Sequence, residues 1–455
     1  MMKKINLCFA LIFLISQTGL CQEIEGEKVV LASLKDAVVI ALKNNKDIQI
    51  QEKELDVAKA DILGARSAFM PNLDFGGGYT HNGAVLRTGS SSTKKDPGIF
   101  SGYIDDNQAG VTFNESLYSG GKNMANLRQM QLSFKTQEET LRARKLDVEF
   151  EAKRLYYGLL LAYETERIAQ YLVDQAESHY LDVRNKFDQG TSSKFDVLQS
   201  KTQVTKLIPE LVKAKNSVKL IAAELNKLLG LKVQNLTEVQ DKLSYSLVEI
   251  HEADFLKTAY MNKPEIILKS LGIDISKWGI QYARSNGMPQ INTTGEYTYT
   301  SNNPGNMFNT RHNNWNIGFS VSFPIFDGFA TKAKVDAAKA KYAQSIISKE
   351  NVIEQVAVDI RQSCLDLKES EAIIVSQKDN IAEAKEALMI SEVSYDNGVG
   401  TNLDVLDSQV SLGQIEQNLA EGIYDYVMAK ASLDRTMGEE LIKDNIKEAK
   451  NETKN

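Results

Sequence analysis

Apolar side chains recur with the period of a coiled coil along two stretches of about 70 residues each. In the first stretch, Gly121 to Gln189, their spacings are three, four or seven residues and average about 3.5. The second, Phe329 to Asn397, repeats the pattern through Leu367, Ile374 and Leu388. Neither stretch contains a proline, and a helix of that length reaches roughly 100 Å. The pattern predicts two long helices that pack lengthwise against other helices.

Each long helix is predicted to end in a glycine turn and to be followed by a shorter returning helix. The turns lie at Gly190 and at Gly398 with Gly400, and the returning helices cover about 193–229 and 402–437. Short helices also precede the strands, beginning with Leu31 to Lys43 in one half and Ala253 to Met261 in the other. We expect the short helices to stack end to end beside the long ones.

Between the short and long helices the apolar positions alternate with period two. Hairpins are therefore predicted at about 72–118 and about 290–326, the second with a turn at 302–305. In the last strand Trp315, Ile317 and Phe319 alternate with polar residues, so each hairpin has one apolar and one polar face. The aromatic residues near strand ends suit strands that cross a membrane; they are Tyr79, Tyr103, Tyr299 and Trp315.

The whole pattern occurs twice in the chain. The segment from Asn44 to Pro71 matches the segment from Asn262 to Pro289 at an offset of 218. From Tyr118, which matches Phe326, the offset is 208, so one loop of the first copy is longer. We divide the chain into a first repeat at 22–238, a second at 239–438 and a charged tail at 439–455. The predicted fold class is mainly α with a small β part and an internal two-fold repeat.

The first 21 residues are predicted to be a signal peptide. Lys3 and Lys4 precede an apolar run from Ile5 to Ile15, and small and polar residues follow it. The formal net charge of −7 becomes two units more negative when these lysines are removed. An exported acidic protein of this kind does not suit binding of nucleic acid, which requires a basic surface.

The cysteines predict neither a disulfide nor a thiolate metal site. Among Cys8, Cys21 and Cys364, only Cys364 lies well inside the mature chain. Lipidation of Cys21 stays open as an alternative to ordinary cleavage, although Leu20 stands where a lipobox has a small residue.

After the signal segment no run of about 18 apolar residues occurs, so insertion into a membrane would have to use the strands. Four strands do not close a barrel, and an open edge in lipid leaves backbone N–H and C=O groups unpaired. Several copies are therefore expected to share their strands in a transmembrane β-barrel that the long helices continue as an α-barrel. The alternative is a soluble β-sandwich edge with helices attached.

Several segments resemble the TolC-type outer-membrane efflux protein family. They are Asn262-Lys263-Pro264-Glu265-Ile266, Met288-Pro289-Gln290 and Gly400-Thr401-Asn402-Leu403-Asp404-Val405-Leu406-Asp407, and the likeness covers nearly all of the mature chain. The resemblance implies a homotrimer with a 12-stranded β-barrel in the outer membrane of a Gram-negative bacterium. It also implies a helical tunnel in the periplasm, a periplasmic adaptor (membrane fusion) protein and an inner-membrane pump. No cofactor is implied.

The resemblance also suggests functional residues near the two glycine turns. Asp404 and Asp407 match acidic residues that form a constriction ring in the family, and Asp196 resembles its gate-linking aspartate. The alternative role for the two aspartates of the second copy is to begin a helix, since acidic residues favour the first turn. Asn402 stands where the family has a basic residue. The turns themselves are expected to contact the adaptor, through Gly190, Thr191, Gly398, Gly400 and Thr401.

No catalytic or metal-binding pattern is present in the sequence. His81, His179, His251 and His312 lack metal-ligand spacing. We therefore interpret the chain as a passive exit duct of a tripartite efflux or type I secretion system, gated at its periplasmic end, and as no enzyme. A periplasmic adaptor or coiled-coil scaffold is the alternative, but neither requires amphipathic strand pairs or a duplication of the whole chain.

Overall fold

The computed structural model describes residues 28–31, 33–82, 104–301 and 313–439. The signal peptide at 1–21, Tyr103, the turn at 302–305, His312 and the tail after Glu439 lie outside the described residues.

The described parts of the two halves follow the same order of elements. The first half comprises β1 (Lys28–Leu31), α1 (Leu34–Asn44), α2 (Lys46–Ser67), β2 (Asn72–Asn82), β3 (Ile104–Tyr118), α3 (Lys122–Asp188) and α4 (Lys194–Leu228). The second comprises β4 (Leu236–Val239), α5 (Glu252–Asn262), α6 (Pro264–Arg284), a 3₁₀ turn (Ser285–Gly287), β5 (Gln290–Ser301), β6 (Asn313–Ser322), α7 (Ala330–Asp396) and α8 (Asn402–Met437).

The two long helices, α3 and α7, each have 67 residues, which corresponds to roughly 100 Å. Helices α2 and α4 both pack along α3, and α6 and α8 both pack along α7, so the shorter helices line the long ones as expected. The halves meet where α3 contacts α6 and α8. Helices α2 and α4 therefore form one side of the protomer and α7 forms the other.

Each half has its own buried core where the long helix meets the first short helix and the end of the returning helix. In the first half Val38, Tyr156, Leu159 and Leu225 are buried together. The second-half core contains Ile360, Leu367, Ile374, Tyr426 and Leu433. The repeated pattern of apolar residues in the sequence thus produces two equivalent cores.

Two short strands, β1 and β4, pair in parallel, with Leu31 opposite Val239. The prediction that Leu31 begins a helix is wrong. Helix α1 begins at Leu34, and the hydroxyl of Ser33 caps it by accepting the Asp36 N–H at 3.3 Å. Strands of four residues are too short to show a period-two pattern, and for that reason the sequence did not reveal them.

The segment at 240–251, which joins β4 to α5, is hydrogen-bonded to three helices. The Tyr156 hydroxyl on α3 donates to Asp241 at 2.7 Å, and the Val248 N–H donates to the Tyr426 hydroxyl on α8 at 3.0 Å. On α7, Lys378 donates to the Tyr245 hydroxyl at 3.2 Å. Burial and the Asp241 carboxylate raise the pKa of Tyr156, so its hydroxyl stays protonated and keeps donating. This irregular segment is a fixed part of the structure.

The other four strands form one antiparallel sheet in the order β2-β3-β5-β6. The register aligns Phe75, Val111, Tyr297 and Trp315 across the four strands. Directly opposed residues share a face of the sheet, so this row belongs to an apolar face. The next row, Asp74, Thr112, Glu296 and Asn316, is polar and lies on the other face. Strand β6 ends at Ser322, short of the predicted end near 326.

No helix among the described residues is both long and apolar enough to cross a membrane.

Replacing Gly230 with alanine tests the contact that ends the first returning helix. Gly230 has φ +69°, and an added Cβ would lie 2.8 Å from the Asn44 carbonyl oxygen. We expect Gly230→Ala to destabilise the fold by about 1–3 kcal/mol, because a side chain adds both backbone strain and a collision. The measurement is the thermal unfolding midpoint in detergent by circular dichroism.

Gly272→Ala is the control, because Gly272 lies inside α6 with nothing within 4 Å of an added Cβ. This control is expected to raise the midpoint or leave it unchanged, since alanine favours helix. Equal losses in both variants would contradict the role of the Gly230 contact.

Candidate functional site

Each long helix ends in the same hydrogen-bonded glycine turn, which we call a tip. Gly190 has φ +80° and donates to the Phe187 carbonyl at 2.9 Å, and Thr191 donates to the Lys186 carbonyl at 2.8 Å. In the second tip Gly398 has φ +72°, and Gly398 and Val399 make the equivalent pair of bonds at 3.1 and 3.0 Å. Both pairs are the Schellman arrangement that ends a helix at a left-handed glycine. The tip glycines thus have a structural role.

The two tips differ at the second glycine. An added Cβ at Gly400 would lie 2.9 Å from the Ser394 Cβ and 3.1 Å from the Tyr395 nitrogen, so the backbone packs directly on the end of α7. Its counterpart in the first tip is Ser192, whose hydroxyl donates a hydrogen bond to the Asp196 carboxylate. Gly400 is therefore required by close approach, whereas Gly398 is required by its positive φ.

Both returning helices begin with a capping box. In this motif the side chains of the N-cap residue and of the third helical residue each accept a hydrogen bond from the other residue's backbone N–H. In α4 the Ser193 hydroxyl accepts the Asp196 N–H at 3.1 Å, and the Asp196 carboxylate accepts the Ser193 N–H at 3.1 Å. In α8 the Thr401 hydroxyl accepts the Asp404 N–H at 3.2 Å, and the Asp404 carboxylate accepts the Thr401 N–H at 2.8 Å. Asp196 and Asp404 therefore help to begin their helices.

The contacts within the protomer lower the pKa of Asp404, whereas a crowded ring of acidic residues would raise it. Hydrogen bonds from the Thr401 hydroxyl and backbone hold the pKa of the exposed Asp404 carboxyl below its usual value. Like carboxylates close together in a narrow mouth would raise the pKa. The contacts within one protomer therefore support the helix-starting role of Asp404.

Asp407 lies one turn further along α8 and is exposed. It lines a groove of about 460 Å³ between α4 and α8 together with Phe195, Leu198, Leu403 and Leu406. Phe195 and Leu403 are repeat counterparts, and Phe195 is 71% exposed. The tips thus carry a mixed apolar and acidic surface. Gly190, Thr191, Gly398 and Thr401 are exposed at the same end of the molecule.

A buried polar cluster joins the α3/α4 hairpin to the α7/α8 hairpin just above the tips. The amide oxygen of Asn402 lies 2.7 Å from His179 Nε2 and accepts from the Ser200 hydroxyl at 3.0 Å. The amide nitrogen of Asn402 donates to the Gln199 side chain at 3.0 Å. His179, Ser200 and Asn402 are all buried. Removing one member leaves buried polar groups unpaired, so the cluster holds the hairpins at a defined spacing.

A second link lies beside this cluster. Lys186 on α3 forms an ion pair with Asp396 on α7 at 2.8 Å, and its ammonium group lies 4.2 Å from the centre of the Tyr395 ring. The same ring packs against His179 with centroids 5.4 Å apart. Asp396 is largely exposed, so the ion pair itself contributes little, and the packing around Tyr395 carries more of the contact.

The sequence predicts no role for His179, and Asn402 stands out in it only as a departure from the family pattern. No signal in the sequence points to the pairing of these residues. The repeat counterpart of Asn402 is Lys194 and that of His179 is Ala387, but most positions differ between the copies, and Ser200 of the same cluster matches Ser408. The structure alone brings the three residues together.

Within the described ranges, no group of three or more His, Cys, Asp and Glu side chains is arranged to hold a metal ion. The described histidines are also dispersed: His81 lies in β2, His179 in α3, and His251 just before α5.

The helix-starting role of Asp404 predicts a pH-dependent effect of Asp404→Asn. Because the folded pKa of Asp404 lies below its unfolded value, its contribution to stability is present above that value and disappears as the pH falls through the folded pKa. The variant is expected to have a lower thermal midpoint than the wild type at pH 7, and the difference is expected to vanish in strong acid.

Asp407→Asn is the matched control, since it makes the same change of charge on the same helix, at a residue outside the capping box of Thr401 and Asp404. An equal loss of stability at pH 7 in both variants would contradict the capping explanation.

Comparison with known proteins shows the family. The model of the family described as "Outer membrane efflux protein" matches residues 37–231 and 256–439, which is most of the chain. The chain is 22% identical over 412 residues to the outer membrane protein TolC of Vibrio cholerae, covering 88% of this chain and 89% of that protein. It is also 22% identical to the cation efflux system protein CusC of Escherichia coli (strain K12), covering 89% of this chain and 86% of that protein.

Solved structures show the same fold. The Campylobacter jejuni CmeC outer membrane channel superposes with a TM-score of 0.77 at 19% sequence identity, covering 98% of this chain and 97% of that one. The predicted family resemblance, the mainly helical fold with a small β part, the efflux-channel function and the outer-membrane location are confirmed. The chain therefore belongs to the outer membrane efflux protein family, a family of outer-membrane channels and not of enzymes.

Proposed function

We propose that three copies of the chain close into a ring that forms a passive exit duct across the outer membrane and the periplasm. The observation that carries the proposal is the pair of open edges on the protomer. Strand β2 pairs only with β3, and β6 pairs only with β5, within the described sheet. Each edge thus presents a row of backbone groups that lipid cannot satisfy, at several kcal/mol per group.

The two edges suit each other. Neighbouring strands alternate in direction through the sheet, so β6 of one copy runs antiparallel to β2 of the next. Four strands from each of three copies give a 12-stranded barrel, and an even number of strands lets antiparallel pairing continue around the ring. The apolar face of the sheet then meets lipid and the polar face lines the pore.

The helices support a ring of the same kind. Helix α4 forms one side of the protomer and exposes Phe195, Leu198, Ile208, Val212 and Leu220, while α7 on the other side exposes Val358, Leu365, Val375, Ile390 and Val393. Two different apolar sides on one protomer are what a head-to-tail interface requires, and such an interface gives a ring when the rotation between neighbouring copies closes. Copies that join through these sides continue the barrel as a helical cylinder.

The proposed partners are a periplasmic adaptor protein and an inner-membrane pump, which would place the duct in an efflux or type I secretion assembly. One relative is named a cation efflux system protein and another an alkaline protease secretion protein, so related ducts serve both kinds of system. We assign adaptor contact to Gly190, Thr191, Gly398, Gly400 and Thr401. The exposed apolar residues Val399 and Phe195 at the same tips support this assignment.

The proposed gate is the periplasmic end of the duct. Asp404 and Asp407 would line the constriction in each copy, with Asp196 close to it, and a ring of such carboxylates favours cations. The cluster of His179, Ser200 and Asn402 holds the two hairpins of one copy together and so favours the closed state. The adaptor would open the gate by binding the open arrangement better, with energy supplied at the inner membrane.

The oligomeric state and channel activity test the proposal directly. Protein extracted with the outer membrane is expected to have the mass of three chains in detergent by native mass spectrometry. The same protein is expected to conduct ions in planar bilayers. A detergent-free, water-soluble monomer would contradict the proposal and favour the adaptor or scaffold alternative.

The gate is tested by Asn402→Ala, which removes the central member of the buried cluster. Loss of its three hydrogen-bond partners is expected to favour the open arrangement by about 1–3 kcal/mol. Bilayer conductance of the closed channel is therefore expected to rise about 5-fold or more.

Asn397→Ala is the control, because the Asn397 amide bonds to the Val393 carbonyl within its own helix end. This variant alters the same tip without touching the contact between the hairpins. Unchanged conductance in Asn402→Ala, or an equal rise in Asn397→Ala, would show that the cluster does not hold the gate closed.

A further inference from the structure

We propose a defined seam between copies: β6 of one copy pairs with β2 of the next with Phe319 opposite Tyr79, and the corner at Gly328 packs on the corner at Met70. The inference rests on the proposed ring and adds the register and contacts of its interface. It follows from a contact that the duplicated chain makes once internally and leaves unmade at its two edges.

The internal contact lies where the first half meets the second. Strands β3 and β5 pair there, with Val111 opposite Tyr297 and Phe113 opposite Gly295. At the helical end of these strands Gly120 packs against the corner between α6 and β5. An added Cβ at Gly120 would lie 2.6 Å from the Met288 Cβ and 2.8 Å from the Ser285 carbonyl oxygen. Strand pairing and corner contact together fix the join between the halves.

The duplication provides the same two surfaces at the outer edges. Gly328 is the counterpart of Gly120 and has nearly the same φ, +64° against +65°. Met70 is the counterpart of Met288. Yet nothing lies within 4 Å of an added Cβ at Gly328, and Met70 is 67% exposed. Both halves of a second corner contact are therefore present in the chain and do not meet within it.

The repeat offsets convert the internal register into a register between copies. Adding 208 to the β3 position and subtracting 218 from the β5 position turns Val111 opposite Tyr297 into Phe319 opposite Tyr79. The same conversion places Val321 opposite Gly77. Tyr118 opposite Ile291 becomes Phe326 opposite Leu73.

The converted register agrees with two features that were not used to derive it. Phe319 and Tyr79 both lie on the apolar face of the sheet, as partners across a seam in lipid must. The internal register shifts between Ser116 and Tyr118, and the converted position of that shift is Pro324 to Phe326. A proline has no N–H for the ladder and is tolerated at such an irregularity.

The corner contact selects among registers that keep the faces matched. A slip by one residue would turn the polar face of one strand toward lipid, so only slips by two residues compete. Such a slip moves one copy along the strand by about 7 Å, which separates the Gly328 and Met70 corners. One register therefore satisfies the strand pairing and the corner contact together.

The experiment is disulfide cross-linking of Phe319→Cys with Tyr79→Cys in a Cys364→Ser background. Directly opposed residues in an antiparallel pair have Cα atoms about 4.5–5.5 Å apart, within the range that a disulfide spans. Mild oxidation of the outer-membrane protein is expected to give a covalent trimer on non-reducing gels. Two control pairs represent the slipped registers: Phe319→Cys with Gly77→Cys, and Val321→Cys with Tyr79→Cys.

The outcomes separate the register from the ring. Cross-linking of the matched pair at least 10-fold faster than of either control pair supports the register. Faster cross-linking of a control pair, or failure of the matched pair in protein that is trimeric by native mass spectrometry, overturns the register and leaves the ring intact. Monomeric protein with no cross-link from any pair overturns both proposals. Single-cysteine variants must give no covalent trimer, which excludes products from Cys21.

Discussion

Unpaired backbone hydrogen-bonding groups at the edges of a four-stranded sheet are the constraint on which the rest of this structure depends. Each edge strand satisfies one side only, and a membrane provides no water for the other. In the proposed ring the sheet continues into further copies of itself. The exposed apolar sides of α4 and α7 belong to opposite sides of the protomer, so the proposed head-to-tail arrangement would serve both the strands and the helices.

The sequence predicted the parts of the fold that repeat a short period over many residues. Helices α3 and α7 each contain 67 residues of one pattern, and their ends are marked by Gly190 and Gly398, so their extent was predicted to within a few residues. Strands β1 and β4 have four residues each and depend on a partner about 200 positions away, which no local pattern reveals. The position of segment 240–251 depends on single hydrogen bonds, one donated by the Tyr156 hydroxyl and one accepted by the Tyr426 hydroxyl, and no local pattern reveals them either.

The tips show a similar division. Capping residues such as Thr401 and Asp404 act on their own helix end, and the sequence alone suggested that role for the aspartates. His179 and Asn402 lie on different hairpins and are 223 positions apart in the chain. The difference between the copies, histidine against Ala387 and asparagine against Lys194, does not mark them in the sequence, because most repeat positions differ. A contact between residues so far apart follows from the packing of the hairpins and not from a local pattern.

The hydrogen bonds of segment 240–251 also set the mechanical scale of the helical cylinder. They form a girdle at the level of Tyr426, and the helix start at Asn402 lies roughly 36 Å below it along α8. Below this level the α3/α4 and α7/α8 hairpins run on to the tips, where the Asn402 cluster joins them to each other. A tilt of the joined hairpins by about 5° at the girdle displaces the tips by about 3 Å. In the proposed duct, a tilt of this size would change the width of the periplasmic mouth by about one hydrogen-bond length without altering the strand pairing of the membrane barrel.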